Sequence, residues 1–477
     1  MTFSQALIHD PDQPEAPQSP NDSMEEDVDI NEPLTIIALP ETFDPILSED
    51  EKRKVRAAAH HFILEQYNSG AKLFSKEAFR DAVRVFDSAA AEVEQRGVLS
   101  DPSSHVVSVT GLDGVAVEFP IETGAIYPYS PYPPEYVCVK TKPRLWYRSI
   151  ESLLDDDPNW SISRAFLPFE ICHETEVRHA STGEPVITRE PAVDIDTVKR
   201  SFEFARREFG ASKLWADIRT CLSVALGLSD LQTNKVNNNN VLSDSRIPQR
   251  SDSDQDISNL PSRTSPIRNI IGLALGSPSC MAIEEDEPFN ASMAQHALLL
   301  TLRDFFHEQL TTTTNPPNLA SLSPPPPPPP TPQVQPTDHP LPCIAQDPAY
   351  SPLETTLLSS SGIAVVDDPR AFLAVDEASL LVSINADIPV QQIVADIARP
   401  AVVIWNRVLK EGEEVSEGDG VLMTDPASPR VLEMMEEYVE LAFPASVDDK
   451  HFGGDLAIYI RKDVYKGQHR WEGIQMS

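Results

Sequence analysis

Between residues 267 and 409, short apolar runs alternate with segments of helical spacing, and this pattern narrows the fold more than any other feature. Asn269-Ile-Ile-Gly-Leu-Ala-Leu-Gly276 is an apolar run closed by glycine, as buried parallel strands are. Ser292-x-x-Gln295 has the form of a capping box. Ala294, Ala297, Leu298, Thr301, Leu302 and Phe305 continue from it as an apolar helix face. Leu341–Gln346, Ile363–Val366, Leu380–Ile384 and Ala401–Trp405 read as further strands, with helices over Pro352–Ser360 and Val390–Ile397. Strands apolar on both sides and separated by helices predict an α/β fold. Its core is a Rossmann-like parallel sheet with helices on both faces.

The flanks have other compositions. Residues 1–50 carry 13 acidic side chains and no Lys or Arg, which predicts a disordered acidic tail over 1–47. Ser48-Glu-Asp-Glu51 then caps a helix whose apolar positions are Val55, Ala58, Ala59, Phe62, Ile63 and Tyr67. A second helix is predicted over Lys76–Glu94, short strands between 105 and 140, and helices over Asp196–Arg207 and Lys213–Leu226. Residues 48–228 are therefore expected to form an N-terminal α+β region. Residues 229–266 read as a disordered linker in which Ser251, Ser253 and Ser265 have the short contexts that kinases modify. Inside the core, 311–340 holds twelve prolines and is expected to be an extended surface insertion. The run Pro324–Pro330 has no flanking Arg or Lys, which suits a spacer better than a ligand for an aromatic groove. Residues 410–477 form a C-terminal extension, with an acidic amphipathic helix near Pro429–Leu441 and a strand at Leu456–Ile460.

Charge and cysteine usage bound the function. A net charge of −36 opposes nucleic-acid binding, which depends on Lys and Arg neutralising phosphates. It also opposes docking on anionic membranes. The longest apolar runs fall far short of the ~20 residues that span a bilayer. The five cysteines lie far apart, without zinc-ligand spacing, as in an intracellular protein with reduced thiols.

Candidate ligand residues collect where the strands end. Gly272, Gly276 and Ser277 close the first strand, Asp347 follows the second, and Asn385 follows the Leu380–Ile384 strand. Glu354 lies two helical turns beyond Asp347. The glycine spacing is not G-x-G-x-x-G, so a structural turn and a ligand loop both remain open. Glu284-Glu-Asp-Glu287 beside this loop would repel a pyrophosphate. An adenosyl ligand without phosphate, such as S-adenosylmethionine, would suffer less. No catalytic set and no metal set is predicted; Cys172, His173 and His179 match no standard site. The cofactor is left unnamed.

Several runs in this block resemble the sensitivity-to-red-light-reduced, or SRR-like, domain family. They are Gly272–Ser277, Gln295-His-Ala-Leu-Leu-Leu-Thr-Leu302, Asp347-Pro-Ala-Tyr-Ser-Pro-Leu-Glu354, the strand led by Gly362, and Pro389–Ile397 before Trp405. The resemblance covers about 140 residues, and the long flanks look like those of filamentous-fungal members. It implies a regulatory protein acting through protein partners in cytoplasm and nucleus, with a small-molecule ligand possible and no established catalysis. Family members are linked to light signalling and the clock in plants, microtubule stability in yeast, and haem metabolism and clock function in animals. Many members carry Met-Pro-His-Cys where this chain reads Val382-Ser-Ile-Asn-Ala-Asp-Ile-Pro389, so chemistry resting on that pair does not carry over.

Overall fold

The computed structural model describes residues 48–96, 105–127, 135–155, 161–186, 195–228, 266–279, 289–314, 341–410, 425–444, 450–452 and 455–467. The acidic tail, the linker serines, Glu284–Glu287 and the Pro324–Pro330 run lie outside the described residues.

The N-terminal region opens with helices α1 (Glu49–Asn68) and α2 (Lys76–Arg96). Ser48 and Glu51 close the expected capping box on α1. Strands β1 (Val106–Thr110) and β2 (Ala116–Pro120) form an antiparallel hairpin. Strands β3 (Ile126–Tyr127), β4 (Tyr136–Tyr147) and β5 (Phe169–His179) form a three-stranded sheet. The short helix α3 (Ile150–Leu153) and helices α4 (Ile195–Ala211) and α5 (Lys213–Ala225) complete the region.

The core follows as β6 (Asn269–Leu273), α6 (Ala291–Thr314), β7 (Cys343–Gln346), α7 (Pro352–Ser360), β8 (Ala364–Val365) and α8 (Arg370–Ala374). It continues with β9 (Ser379–Ser383), α9 (Val390–Ile397), β10 (Val402–Asn406), α10 (Pro429–Met435), β11 (Tyr438–Ala442) and β12 (Leu456–Arg461). The seven strands lie in the order β11-β12-β10-β9-β6-β7-β8. From β8 to β10 every pairing is parallel, while β12 runs antiparallel between β10 and β11. Counted from β6, the order is 3-2-1-4-5-7-6. The first five positions are those of a doubly wound sheet, with the chain reversing its direction of travel between β6 and β9.

Both faces of this sheet are apolar. Ile270, Leu380, Val382, Val402 and Ile404 pack on one side with α4, α5 and α6. Ile271, Leu381, Val403, Trp405 and Tyr459 pack on the other with α1, α2, α9, α10 and the N-terminal strands. A buried Leu or Ile is worth about 1.5–3 kcal/mol relative to an exposed one, so two covered faces hold the sheet firmly. The N-terminal region thus supplies cover to both faces.

Three sequence readings are corrected. The N-cap of α6 is Asn290, whose Oδ1 accepts from Met293 N–H at 2.8 Å, so Ser292 is not its capping residue. The expected helix near Pro429–Leu441 ends at Met435, and β11 replaces its second half, because Tyr438, Val439 and Leu441 pair with β12. The sheet therefore extends past residue 409. Helix α6 also runs on through Thr311 to Thr314, into the segment expected to be extended.

Candidate functional site

The chain leaves β6 through a strained bend in which Ala274 (φ 52°) and Gly276 (φ 72°) are both left-handed. Gly276 carries no Cβ penalty there; Ala274 does. The bend is held by the segment after β7. Ala274 N–H donates to the Gln346 carbonyl at 3.1 Å, and Gly276 N–H donates to Asp347 Oδ2 at 2.6 Å. Asp347 Oδ1 accepts from Ala349 N–H at 2.8 Å, which makes an Asx turn.

That turn leads into α7, whose N-cap Ser351 forms a capping box with Glu354. Glu354 Oε2 accepts from Ser351 N–H at 2.7 Å. Its Oε1 accepts from Ser279 N–H at 2.8 Å, from Ser279 Oγ at 2.9 Å, and from the Ser277 hydroxyl. A fully buried carboxylate therefore pins the 277–279 loop to the first turn of α7. Burial alone would push its pKa up, but the bonds from Ser277, Ser351 and Ser279 outweigh it and hold Glu354 below its usual value. Asp347 goes the other way. Burial pushes it up, the Ala349 and Gly276 N–H groups oppose this, and Asp387 and Glu354 add repulsion.

His296 on α6 lies against the same corner and is fully buried. Its Nδ1 stands 2.7 Å from the Ser292 carbonyl, which can only accept, so Nδ1 carries the proton. Nε2 then accepts from the Tyr350 hydroxyl at 2.6 Å. Burial drives the His296 pKa down to about 4, so the ring is neutral at pH 7. The Ser292 hydroxyl donates to the Gly276 carbonyl at 2.8 Å, closing the bend from the α6 side.

The structure brings Gly276, Ser277, Asp347 and Glu354 together through direct bonds. Gly272 stands apart, inside β6. A Cβ there would meet Leu275 Cδ1 at 2.6 Å and Leu299 Cδ2 at 3.1 Å, so that glycine lets the strand pack closely against its neighbours. Asn385 (φ 53°) lies beyond β9, where its N–H donates to Asn406 Oδ1 at 2.8 Å. Asn406 Nδ2 returns a bond to Asn385 Oδ1 at 2.6 Å. Sequence reasoning missed Ser279, Ser351, Tyr350 and Asn406. The pair Ser351-x-x-Glu354 was a readable capping-box signal, whereas the others meet only through the fold.

The donors around Asp347 and Glu354 are N–H groups and hydroxyls. Among the described residues no Lys or Arg forms an ion pair with either, so this end of the sheet is anionic. A cavity of about 40 Å³ between Arg144, Asp347, Tyr350, Asp367 and Asp368 has room for a water-sized group, not a nucleotide. Among the described residues no cluster of His, Cys, Asp and Glu could hold a metal, and no helix is long and apolar enough to cross a membrane.

Residues 249–442 match the SRR1 domain. No curated protein and no solved structure matches the chain. The matched stretch contains β6 to β11 and the whole Asp347–Glu354 run, and it stops short of β12. By that match the chain carries an SRR1 domain over residues 249–442.

Proposed function

We propose that this SRR1-domain chain is a regulatory protein that acts through protein partners in cytoplasm and nucleus rather than by turning over a substrate. The supporting observation is that three titratable groups at the carboxyl end of the sheet, Asp347, Glu354 and His296, are already occupied by structural bonds. Both oxygens of Asp347 and of Glu354 accept backbone N–H groups, and both nitrogens of His296 are engaged. A general acid or base needs an open position toward its substrate. Tyr350→Phe tests this, since it deletes only the hydroxyl bonded to His296. In cells lacking the endogenous protein, a folded Tyr350→Phe chain should restore function in full. Native size separation of the same extracts should find the wild-type chain in a complex larger than itself. A folded but inactive variant, or a chain found only as a monomer, overturns the reading.

A second reading is favoured by the strand order. In doubly wound sheets the ligand crevice lies where the order reverses, here between β6 and β9. An anionic crevice suits a cationic adenosyl compound better than a pyrophosphate. Under this reading Gly276, Ser277, Asp347, Glu354 and Asn385 frame the ligand, with Gly272 packing beneath. Thermal unfolding of the full chain with S-adenosylmethionine, and with NAD as control, tests it. At 100 times the dissociation constant a true ligand adds about 2.7 kcal/mol, and only the adenosyl compound should do so.

A further inference from the structure

Three polar atoms at the carboxyl ends of β9 and β10 have no hydrogen-bond partner: Ser383 Oγ, Trp405 Nε1 and Gln391 Oε1. Their residues are only 3 %, 1 % and 2 % exposed. Buried polar groups are almost always paired, so three in one neighbourhood call for an explanation. Ser383 and Trp405 are register partners on adjacent parallel strands, so their side chains share a face. That face is the one covered by α9, because Leu381 and Val403, two residues earlier on each strand, pack with Val390, Ile393 and Val394. Gln391 is on α9 itself, and its Nε2 donates to the carbonyl of Asn406, the residue next to Trp405, at 3.2 Å.

We propose that Ser383, Gln391 and Trp405 form the subsite for the neutral, hydrogen-bonding end of a ligand whose other end lies at Asp347. The inference rests on the reading of the crevice as an adenosyl site. The Trp405 indole N–H offers a donor, Gln391 Oε1 an acceptor, and Ser383 Oγ either. Together they suit a carboxamide, a hydroxyl or the edge of a purine. With strands ~4.8 Å apart, the end of β7 lies roughly 10 Å from the end of β9 and about 14 Å from that of β10, close to the length of an extended nucleoside with a short chain. The exposed Asn385, left-handed and clasped to Asn406 by two amide bonds, stands at the same strand ends. Opening that clasp admits the ligand.

Ser383→Ala is the deciding variant, measured in the full chain with S-adenosylmethionine as the probe. Removing a hydroxyl that has no partner should leave the ligand-free unfolding temperature unchanged or raised. The same change should weaken binding about fivefold, the worth of one neutral hydrogen bond. Gln391→Met, which keeps the shape but removes both the free acceptor and the Nε2 bond to the Asn406 carbonyl, should weaken binding at least as much. Absence of any shift in the wild type overturns the adenosyl reading and the subsite with it. A wild-type shift that Ser383→Ala retains in full overturns the subsite alone. A fall in ligand-free stability of Ser383→Ala also overturns it, since the hydroxyl then has an internal partner such as a bound water.

Discussion

Buried carboxylates hold both ends of the seven-stranded sheet, but in different company. At the amino end, Asp396 at the close of α9 accepts from Leu73 and Phe74 N–H at 2.7 and 3.0 Å. It also meets the Arg430 guanidinium at 2.9 Å. Arg430 in turn donates to the carbonyls of Tyr67 and Ala71 and lies 3.9 Å over the Tyr67 ring. That node is charge-balanced and ties the turn after α1 to α9 and α10. At the carboxyl end, Asp347 and Glu354 meet neutral donors only, and each lies within the other's repulsion. A balanced node suits permanent cohesion. An unbalanced one keeps a loop in place while leaving a negative field, which a cation or a protonation can change.

The largest expected effect sharpens the structural side of this contrast. Asp396→Ala leaves the largely buried Arg430 without its counter-charge and orphans two N–H groups. Breaking such a pair by removing one partner costs about 3–5 kcal/mol. Urea unfolding should show a loss of that size, and a loss below about 1 kcal/mol would end the claim that this node holds the two parts together.

Acid should separate the two ends next. His296 has a folded pKa of about 4 against 6.5 unfolded, so the unfolded state takes the proton first as pH falls. Its contribution is complete above pH 6.5 and is lost as pH falls toward 4, a loss on the order of 3 kcal/mol. His173 on β5, also lowered to about 4 by burial, adds a loss in the same window. Only His296 touches the carboxyl-end node. Protection of the Gly276 and Ser279 amides against exchange, relative to the unfolded chain at the same pH, should therefore fall between pH 6 and pH 4.5 before that of Leu73 and Phe74 does. An equal loss of protection at both ends breaks the comparison.

A smaller effect comes from Glu354→Gln. One carboxylate oxygen that accepts from Ser277 and Ser279 becomes an NH₂ group facing donors, or the amide flips and loses Ser351 instead. A hydrogen bond to a charged group is worth about 1.5–3 kcal/mol, so a loss near 2 kcal/mol is expected at pH 7. Because the folded pKa of Glu354 is depressed, its stabilisation is present above its unfolded pKa and fades as pH falls through the folded one. The penalty of the variant should shrink accordingly in acid.

How much of this was legible in the sequence depends on the range of the interaction. The helices Pro352–Ser360 and Val390–Ile397 are where local signals put them, because Ser351-Pro352 and Pro389 mark their starts within one turn. The strands of the core are displaced by a residue or so. What misled was equally local. Ser292 has the chemistry of a cap but the wrong place, and the glutamates near 433–437 disguised the alternating β11 as an acidic helix. The carboxyl-end node was visible only in part. The position of Asp347 after the second strand was readable, but its Asx turn is seen only in the structure, and Glu354 gave no sign of burial, since Ser279 reaches it from 75 residues away. The orphaned Ser383, Gln391 and Trp405 look like ordinary residues of a strand and helix until the register aligns them.

Asp347→Asn is expected to have the smallest effect on stability and the most to say about the carboxyl end. Asparagine keeps the side-chain shape, and its Oδ1 can still accept from Ala349 or Gly276, so one of two bonds survives. Against that loss stands a gain: the folded pKa of Asp347 is raised by burial, then by Asp387 and Glu354, so ionised Asp347 is itself a burden at neutral pH. The two should nearly cancel, leaving a change of about 1 kcal/mol or less at pH 7. The sign of its pH dependence is opposite to that of Glu354→Gln. A raised folded pKa means the wild-type contribution is greatest below the unfolded pKa and is lost as pH rises through the folded one. Asp347→Asn should therefore cost more at pH 4 than at pH 7, where Glu354→Gln costs less. Removal of one charge also halves the anionic pair that would attract a cationic adenosyl ligand. If the crevice binds one, the stabilisation by S-adenosylmethionine should drop sharply in a chain that is otherwise as stable as the wild type. A chain with parallel pH slopes for the two variants would mean that the two carboxylates act as a single structural staple, and the unbalanced end would differ from the Asp396 end in degree only.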